Sequence, residues 1–251
     1  MNKEIALRNL RDVKDIFDKN DIEFWLESGT LLGAVRDGKM IEWDEDVDLG
    51  TWYDNIKQIS SLFPEFKKRG FKVVLNAREG LVSIKRSDCK VEVCLYRERG
   101  NYAFRIWFAE EKIVANILHW YVKVLSEKKY PKLQGLFIRK RHTSNKKLRK
   151  LSRLEPFLFL LPSPLKKLLG DVIWLILDID GWKRPVIIPK RYFENLSTVP
   201  LYEIEFNTPF DVEEYLEYRY GSNWKVPTKK WIYYEDDEAI DPKWSKGAKN
   251  V

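Results

Sequence analysis

The chain has 251 residues, 44% hydrophobic and 33% charged, which excludes global disorder and suits one large α/β domain or one domain carrying a lobe. Two Cys and two His leave no room for a disulfide framework or a Cys/His zinc site. Lys plus Arg is 45 against 38 for Asp plus Glu, and the resulting +7 suits an anionic partner: nucleic acid, a phosphorylated small molecule or a membrane surface.

Ile5, Leu10, Val13, Ile16 and Phe17 keep helical spacing, so the first twenty residues are expected to form a surface helix. Their charged pattern is not that of a signal peptide. Ile22, Phe24 and Leu26 alternate with Glu23, Trp25 and Glu27, which predicts a strand. Ser28-Gly29-Thr30 then punctuates, a short helix runs from Leu31 to Arg36, and residues 43–51 read as a second strand. Asp54 is expected to cap a helix closing at Gly70 after Lys67, Lys68 and Arg69. Strands follow at 71–75, 81–85, 91–96 and 101–108. From about residue 115 the pattern turns helical, and the tail mixes extended pieces at 186–188 and 202–206 with a helix at 212–220. The domain boundary is drawn after residue 112, with 1–112 as an α/β core and 113–251 as a mostly helical lobe closing back on it.

The segment Trp43-Asp44-Glu45-Asp46-Val47-Asp48-Leu49-Gly50 carries the most information. On a strand Asp44, Asp46 and Asp48 share one face while Val47 and Leu49 enter the core. Carboxylates lined up this way repel unless a cation sits among them, and hard oxygen donors suit Mg²⁺ or Mn²⁺. An EF-hand is rejected, because its glycine and glutamate positions fall on Leu49 and Asn55. Glu92 is a lone acid on the strand Val91-Glu92-Val93-Cys94-Leu95, able to complete a metal site or take a proton from an attacking hydroxyl. The turn at Ser28, Gly29 and Thr30 stands at a strand-to-helix junction, where backbone N–H groups and the helix dipole favour phosphate. Gly33 one turn on lets the helix lie near its strand, and Arg36 is expected to reach a pyrophosphate oxygen.

The run from Phe24 through Glu27-Ser28-Gly29-Thr30-Leu31-Leu32-Gly33-Ala34-Val35-Arg36, then Ile41-Glu42-Trp43-Asp44-Glu45-Asp46-Val47-Asp48-Leu49, resembles the LicD/fukutin-related family. Tyr218-Arg219-Tyr220-Gly221-Ser222-Asn223-Trp224 resembles that family's closing element. The resemblance implies a nucleotidyltransferase-like mixed β-sheet flanked by helices. It also implies a metal-dependent transfer of a phospho-alcohol, phosphocholine above all, from CDP-choline or another CDP-alcohol, with release of CMP. The acceptor would be a hydroxyl of a cell-surface or lipid-linked glycan of the teichoic acid or lipopolysaccharide kind. Residue by residue, Asp46 and Asp48 match the metal-binding pair, Asp44 stands beside them, Gly29 and Thr30 match the nucleotide-phosphate turn, and Glu92 falls at the third carboxylate. One or two Mg²⁺ or Mn²⁺ ions would be held by Asp46, Asp48 and Glu92, with Glu92 or Asp44 as base. Cys89 and Cys94 lie five apart on a strand and face opposite sides, unlike the cysteine-rich zinc site of some eukaryotic members. The chain therefore looks more like the compact bacterial members. Two alternatives keep their place: a nucleotidyltransferase using an NTP and releasing pyrophosphate, and a non-catalytic membrane- or glycan-binding protein.

Residues 139–153 hold eight Lys and Arg and no acid, so without them the net charge is −1. They precede the apolar stretch 157–179, which Pro162, Pro164, Lys166, Lys167 and Asp171 interrupt too often for a transmembrane helix. The stretch is expected either to form core of the helical lobe or, with the basic run, to dock on anionic lipid. The expected location is the cytoplasm, peripheral to the inner face of the membrane, and no nucleic-acid module accompanies the basic run. His119 and His142 are too far apart to form a site by spacing, and Trp182, Trp224, Trp231 and Trp244 suit packing better than sugar stacking.

Overall fold

The computed structural model describes residues 1–76, 79–108, 161–179, 183–231 and 236–240. Helix α1 (Lys3–Asp18) starts where the Asn2 side chain accepts from the Glu4 and Ile5 amides, both at 3.1 Å. Its apolar stripe of Ala6, Leu10, Val13, Ile16 and Phe17 is buried. Asn9 on the same face donates to the Arg86 carbonyl at 3.0 Å and accepts from the Arg86 guanidinium at 2.9 Å, fastening the helix to the sheet.

The expected strand at 22–27 shortens to β1 (Trp25–Leu26). Both faces are covered there, because Trp25 and Glu27 are fully buried alongside Ile22, Phe24 and Leu26. Trp25 pairs with Gly50, where any Cβ would stand 2.2 Å from the indole nitrogen, so the indole covers the neighbouring strand at that glycine. Helix α2 (Ser28–Asp37) follows and ends at Gly38, whose φ of +64° makes the left-handed turn that glycine favours. Strand β2 (Val47–Trp52) leads through a 3₁₀ turn (Tyr53–Asn55) into α3 (Ile56–Ser61) and α4 (Phe63–Lys68). One helix was expected here. Pro64 has no N–H to continue the α3 ladder, so the chain breaks at Leu62 and restarts.

Strands β3 (Lys72–Asn76), β4 (Leu81–Arg86), β5 (Cys89–Arg99) and β6 (Tyr102–Phe108) follow the expected order. The mixed sheet runs β1-β2-β5-β4-β3, with β6 pairing β5 and also β7 (Lys183–Pro189). The β2–β5 ladder is parallel, while β1–β2, β4–β5 and β3–β4 are antiparallel. A mixed sheet flanked by helices is therefore the architecture, as the sequence implies.

Residues 1–107 and 185–241 form one compact unit, and 108–184 with 242–251 form another. The boundary drawn after residue 112 thus needs correction for the tail. Residues 185–241 bring β7, α6 (Arg191–Glu194), the β8–β9 hairpin (Ser197–Leu201 and Ile204–Thr208) and α7 (Val212–Tyr220) into the first unit. The cause is apolar: Val186, Ile188, Tyr192, Phe193, Leu201, Phe206, Tyr215 and Leu216 are buried in that unit's core. In the second unit α5 (Ser163–Ile179) is described. The basic run 139–153, His119, His142, Trp182 and Trp244 lie outside the described residues. No helix among the described residues is long and apolar enough to cross a membrane.

Candidate active site

Two backbone contacts lock the first turn of α2 to β2. The Glu27 N–H donates to the Asp48 carbonyl at 3.1 Å, and the Asp48 N–H donates to the Thr30 hydroxyl at 2.9 Å. Thr30 is buried, so its hydroxyl holds Asp48 in place from the turn side. Ser28 between them adopts φ +48°, a left-handed conformation that costs a non-glycine residue energy. Gly29 has a different reason. A Cβ there would lie 2.5 Å from Asp44 Oδ2, so the carboxylate packs directly on the glycine backbone.

The acidic segment is partly strand and partly lead-in loop. Strand β2 begins at Val47, which places Asp48 on the ladder and Asp44 and Asp46 ahead of it, a correction to the expected strand over 43–51. Lys3 of α1 ties this loop down by donating to the Ile41 and Asp44 carbonyls. Parallel register sets Asp48 beside Glu92, and Lys90 Nζ lies 2.9 Å from both Asp46 Oδ2 and Glu92 Oε1. The structure therefore brings Asp44, Asp46, Asp48 and Glu92 together, with Gly29 at their edge.

Their electrostatics follow from crowding. Burial holds the Asp48 carboxyl well above the usual carboxylate range, reinforced by Asp46, Glu92 and Asp44. Burial, then the Asp46 charge, pushes Asp44 up to about 6. Lys90 is partly withdrawn from water, yet Glu92 and Asp46 more than compensate and keep it an ammonium. As the side chains stand, no three His, Cys, Asp or Glu among the described residues are disposed to hold a metal ion. In chemistry and charge they nevertheless fit a hard divalent cation. Four acidic side chains crowd one spot, and an ammonium already sits between two of them.

Arg36 does not join this group. It lies eight residues beyond Ser28 on α2, about 12 Å by helical rise. Its guanidinium instead makes a two-point pair with Asp37, at 3.0 and 2.7 Å. Trp224 is buried and Trp231 packs on Tyr220 at 4.7 Å, so both serve packing. Trp25, Trp52, Tyr96 and Phe193 also form a filled aromatic cluster, with centroids 4.7 to 5.9 Å apart.

Two features escaped the sequence reading. Lys90 gave no signal, because a lysine two residues from an acid on a strand is common. Glu27 gave no signal either, yet it is fully buried and meets Arg219 at 2.6 Å, while Arg219 also grips Asp237 at 2.6 Å. The Tyr215 hydroxyl and the Trp25 indole donate to Glu27 at 3.1 and 3.0 Å. Burial alone would raise the Glu27 pKa, but the Arg219 and Arg105 charges outweigh it and hold the carboxyl below its usual range.

Residues 21–143 match the family described as LicD/FKTN/FKRP, nucleotidyltransferase domain. That segment, just under half of the chain, is similar to the LicD/FKTN/FKRP nucleotidyltransferase domain. An uncharacterized protein of Rickettsia prowazekii is 30% identical over 103 residues, 41% of this chain and 38% of that protein. The human ribitol 5-phosphate transferase FKRP is 40% identical over 61 residues, 23% of this chain and 12% of its own length. The lipopolysaccharide cholinephosphotransferase LicD of Haemophilus influenzae is 23% identical over 238 residues, 85% of this chain and 86% of that one. The chain thus spans well under half the length of the rickettsial and human relatives. Gly29, Asp44, Asp46 and Asp48, which meet in the structure, all lie inside the LicD/FKTN/FKRP match, as does Glu92.

Proposed function

We propose that this protein transfers a phospho-alcohol, phosphocholine above all, from CDP-choline or another CDP-alcohol to a glycan hydroxyl, releasing CMP. The observation that carries the reading is the cluster of Asp46, Asp48 and Glu92 beside the Gly29 turn, in a segment similar to the LicD/FKTN/FKRP nucleotidyltransferase domain. Asp46, Asp48 and Glu92 would hold Mg²⁺ or Mn²⁺, one ion or two. Bound there, such an ion supplies positive charge against a diphosphate and its leaving group.

The chain's own groups do the rest. The first turn of α2, at Ser28, Gly29 and Thr30, offers N–H groups without intrahelical acceptors toward donor phosphate. Asp44 rests against Gly29, and its carboxyl, raised to about 6, suits proton uptake near neutral pH. Glu92, the other candidate base, is held by Lys90. The acceptor oxygen bonds to the distal phosphorus, the phosphorus–oxygen bond to CMP breaks, and the acceptor proton passes to Asp44.

Incubation with a panel of CDP-alcohols, Mn²⁺ or Mg²⁺ and cell-envelope glycans tests the reading. CMP release dependent on both metal and glycan is expected, with CDP-choline the best donor. Pyrophosphate release from an NTP under the same conditions would replace the reading with nucleotidyl transfer.

A lipid-linked acceptor would call for a membrane-facing element. Helix α5 exposes Leu165, Leu168, Val172 and Leu175, spaced three, four and three residues apart on one side. With the basic run 139–153 preceding it in the chain, α5 suits docking on an anionic leaflet. Liposome flotation should show binding to vesicles rich in phosphatidylglycerol and not to neutral ones, weakened by L168E/V172E. Equal flotation with both vesicles would end the proposal.

A further inference from the structure

The β2–β5 register sets Val47 beside Val91 and Asp48 beside Glu92. Asp46 lies just ahead of β2, and Lys90 on β5 meets both it and Glu92, so three acids gather around one ammonium. Directly opposed like charges on a ladder are unfavourable, and Asp48 beside Glu92 is such a pair. Arg105 is the charge that eases Asp48, and the Lys90 ammonium serves the flanking acids instead. That ammonium lies 2.9 Å from one oxygen of Asp46 and 2.9 Å from one of Glu92, filling the space between the two carboxylates that the proposed metal site needs. The Lys90 side chain is 36% exposed, so a route to solvent exists for it.

A cation and a metal ion cannot share that space. We propose that Lys90 is a tethered placeholder: it neutralises Asp46 and Glu92 in the metal-free protein, yields to a divalent ion, and then presents its ammonium to the donor's diphosphate. The inference rests on the transferase reading above. Lysine suits the role, being a compact point charge on a flexible four-carbon stem and a common phosphate ligand. Once a dication takes the carboxylates, the ammonium is repelled from it, and the donor diphosphate becomes the nearest anion.

The two halves of the proposal pull in opposite directions. Relative to wild type, K90Q should bind Mn²⁺ at least about tenfold more tightly by calorimetry, because no resident charge opposes the ion. The same variant, saturated with Mn²⁺, should bind CDP about tenfold more weakly, because the diphosphate loses an ammonium. K90R keeps the charge and should bind Mn²⁺ no more tightly than wild type. Lys90 is only partly buried, so all three proteins should fold, which a thermal melt checks.

Equal Mn²⁺ affinity in wild type and K90Q, with binding lost in D48N, would overturn the placeholder while leaving the metal reading intact. Unchanged CDP affinity in K90Q would overturn the handover to diphosphate. Absence of Mn²⁺ binding in both wild type and K90Q would overturn the metal reading itself, and the inference with it.

Discussion

Asp48→Asn is expected to raise the melting temperature of the metal-free protein at neutral pH while abolishing transferase turnover. The carboxyl is withdrawn from water, faces Glu92 across the ladder, and has Asp46 and Asp44 nearby, so its folded-state pKa is raised. A raised acid keeps its full contribution below the unfolded-state value of about 4 and loses it as pH climbs toward the folded value. The asparagine variant therefore matches wild type at low pH and gains on it as pH rises. Each kcal/mol gained should show as about 2–4 °C in a chain of this size. The backbone bond from the Asp48 amide to Thr30 is untouched, so the turn stays in place. Turnover moves the other way: losing a group that only orients a metal ligand costs about 10–100-fold in metal affinity or activity, and removal of a ligand should exceed that. Melts from pH 4 to 8 without metal, paired with CMP release with Mn²⁺, check both halves. A D48N protein less stable than wild type at pH 7 would show that the carboxylate is satisfied without a metal.

Such an opposition between stability and chemistry explains why the site was legible. Like charges held two residues apart, Asp46 just ahead of β2 and Asp48 on it, are a cost with no structural return, so they stand out against any reading based on folding alone. Glu92 stood out for a related reason, as a lone acid among Val91, Val93, Cys94 and Leu95, and the parallel ladder sets it beside Asp48. Arg36 shows the limit of the same method. Sequence proximity to the Gly29 turn suggested a phosphate ligand, but a helix moves its eighth residue about 12 Å away, and Asp37 was the nearer partner.

The fold divides along a similar line. Helices α1 and α7 and strands β3 to β6 follow local periodicity, and the sequence places them within a residue or two except for β5, which extends further at both ends. The shortened β1 and the return of residues 185–241 to the first unit do not follow it. There the deciding contacts are remote: Trp25 covers Gly50, Phe193 stacks on Trp25 at 4.7 Å, and Asn207 donates to the Phe24 carbonyl at 3.1 Å. No pattern within a ten-residue window carries such pairings.

The buried charge network is the extreme case, and its disruption should have the largest effect on stability. Arg219 reaches Asp237 through Nε at 2.9 Å and Nη2 at 2.6 Å, and Glu27 through Nη1 at 2.6 Å. Side-chain exposure is 3% for Arg219, 0% for Glu27 and 4% for Asp237, so water cannot take over any of these bonds. Arg219→Met strands two carboxylates in the core. Breaking a buried pair from one side costs about 3–5 kcal/mol, which translates to a drop of roughly 6–20 °C in melting temperature. Arg219→Lys keeps the charge but loses the planar fork that grips both acids, so it should fall between Met and wild type. Glu27→Gln leaves Arg219 paired with Asp237 and should cost less than R219M, while E27Q/R219M should cost less than the sum of the two. The Glu27 pKa is depressed, so its contribution is complete above the usual carboxylate range and is lost as pH falls; the gap between wild type and R219M should therefore narrow in acid. An R219M melt within 2 °C of wild type at pH 7 would refute the clamp. If the drop appears, the role of the closing Tyr218-Arg219-Tyr220-Gly221 element is structural: it holds Glu27, whose amide in turn holds the Asp48 carbonyl.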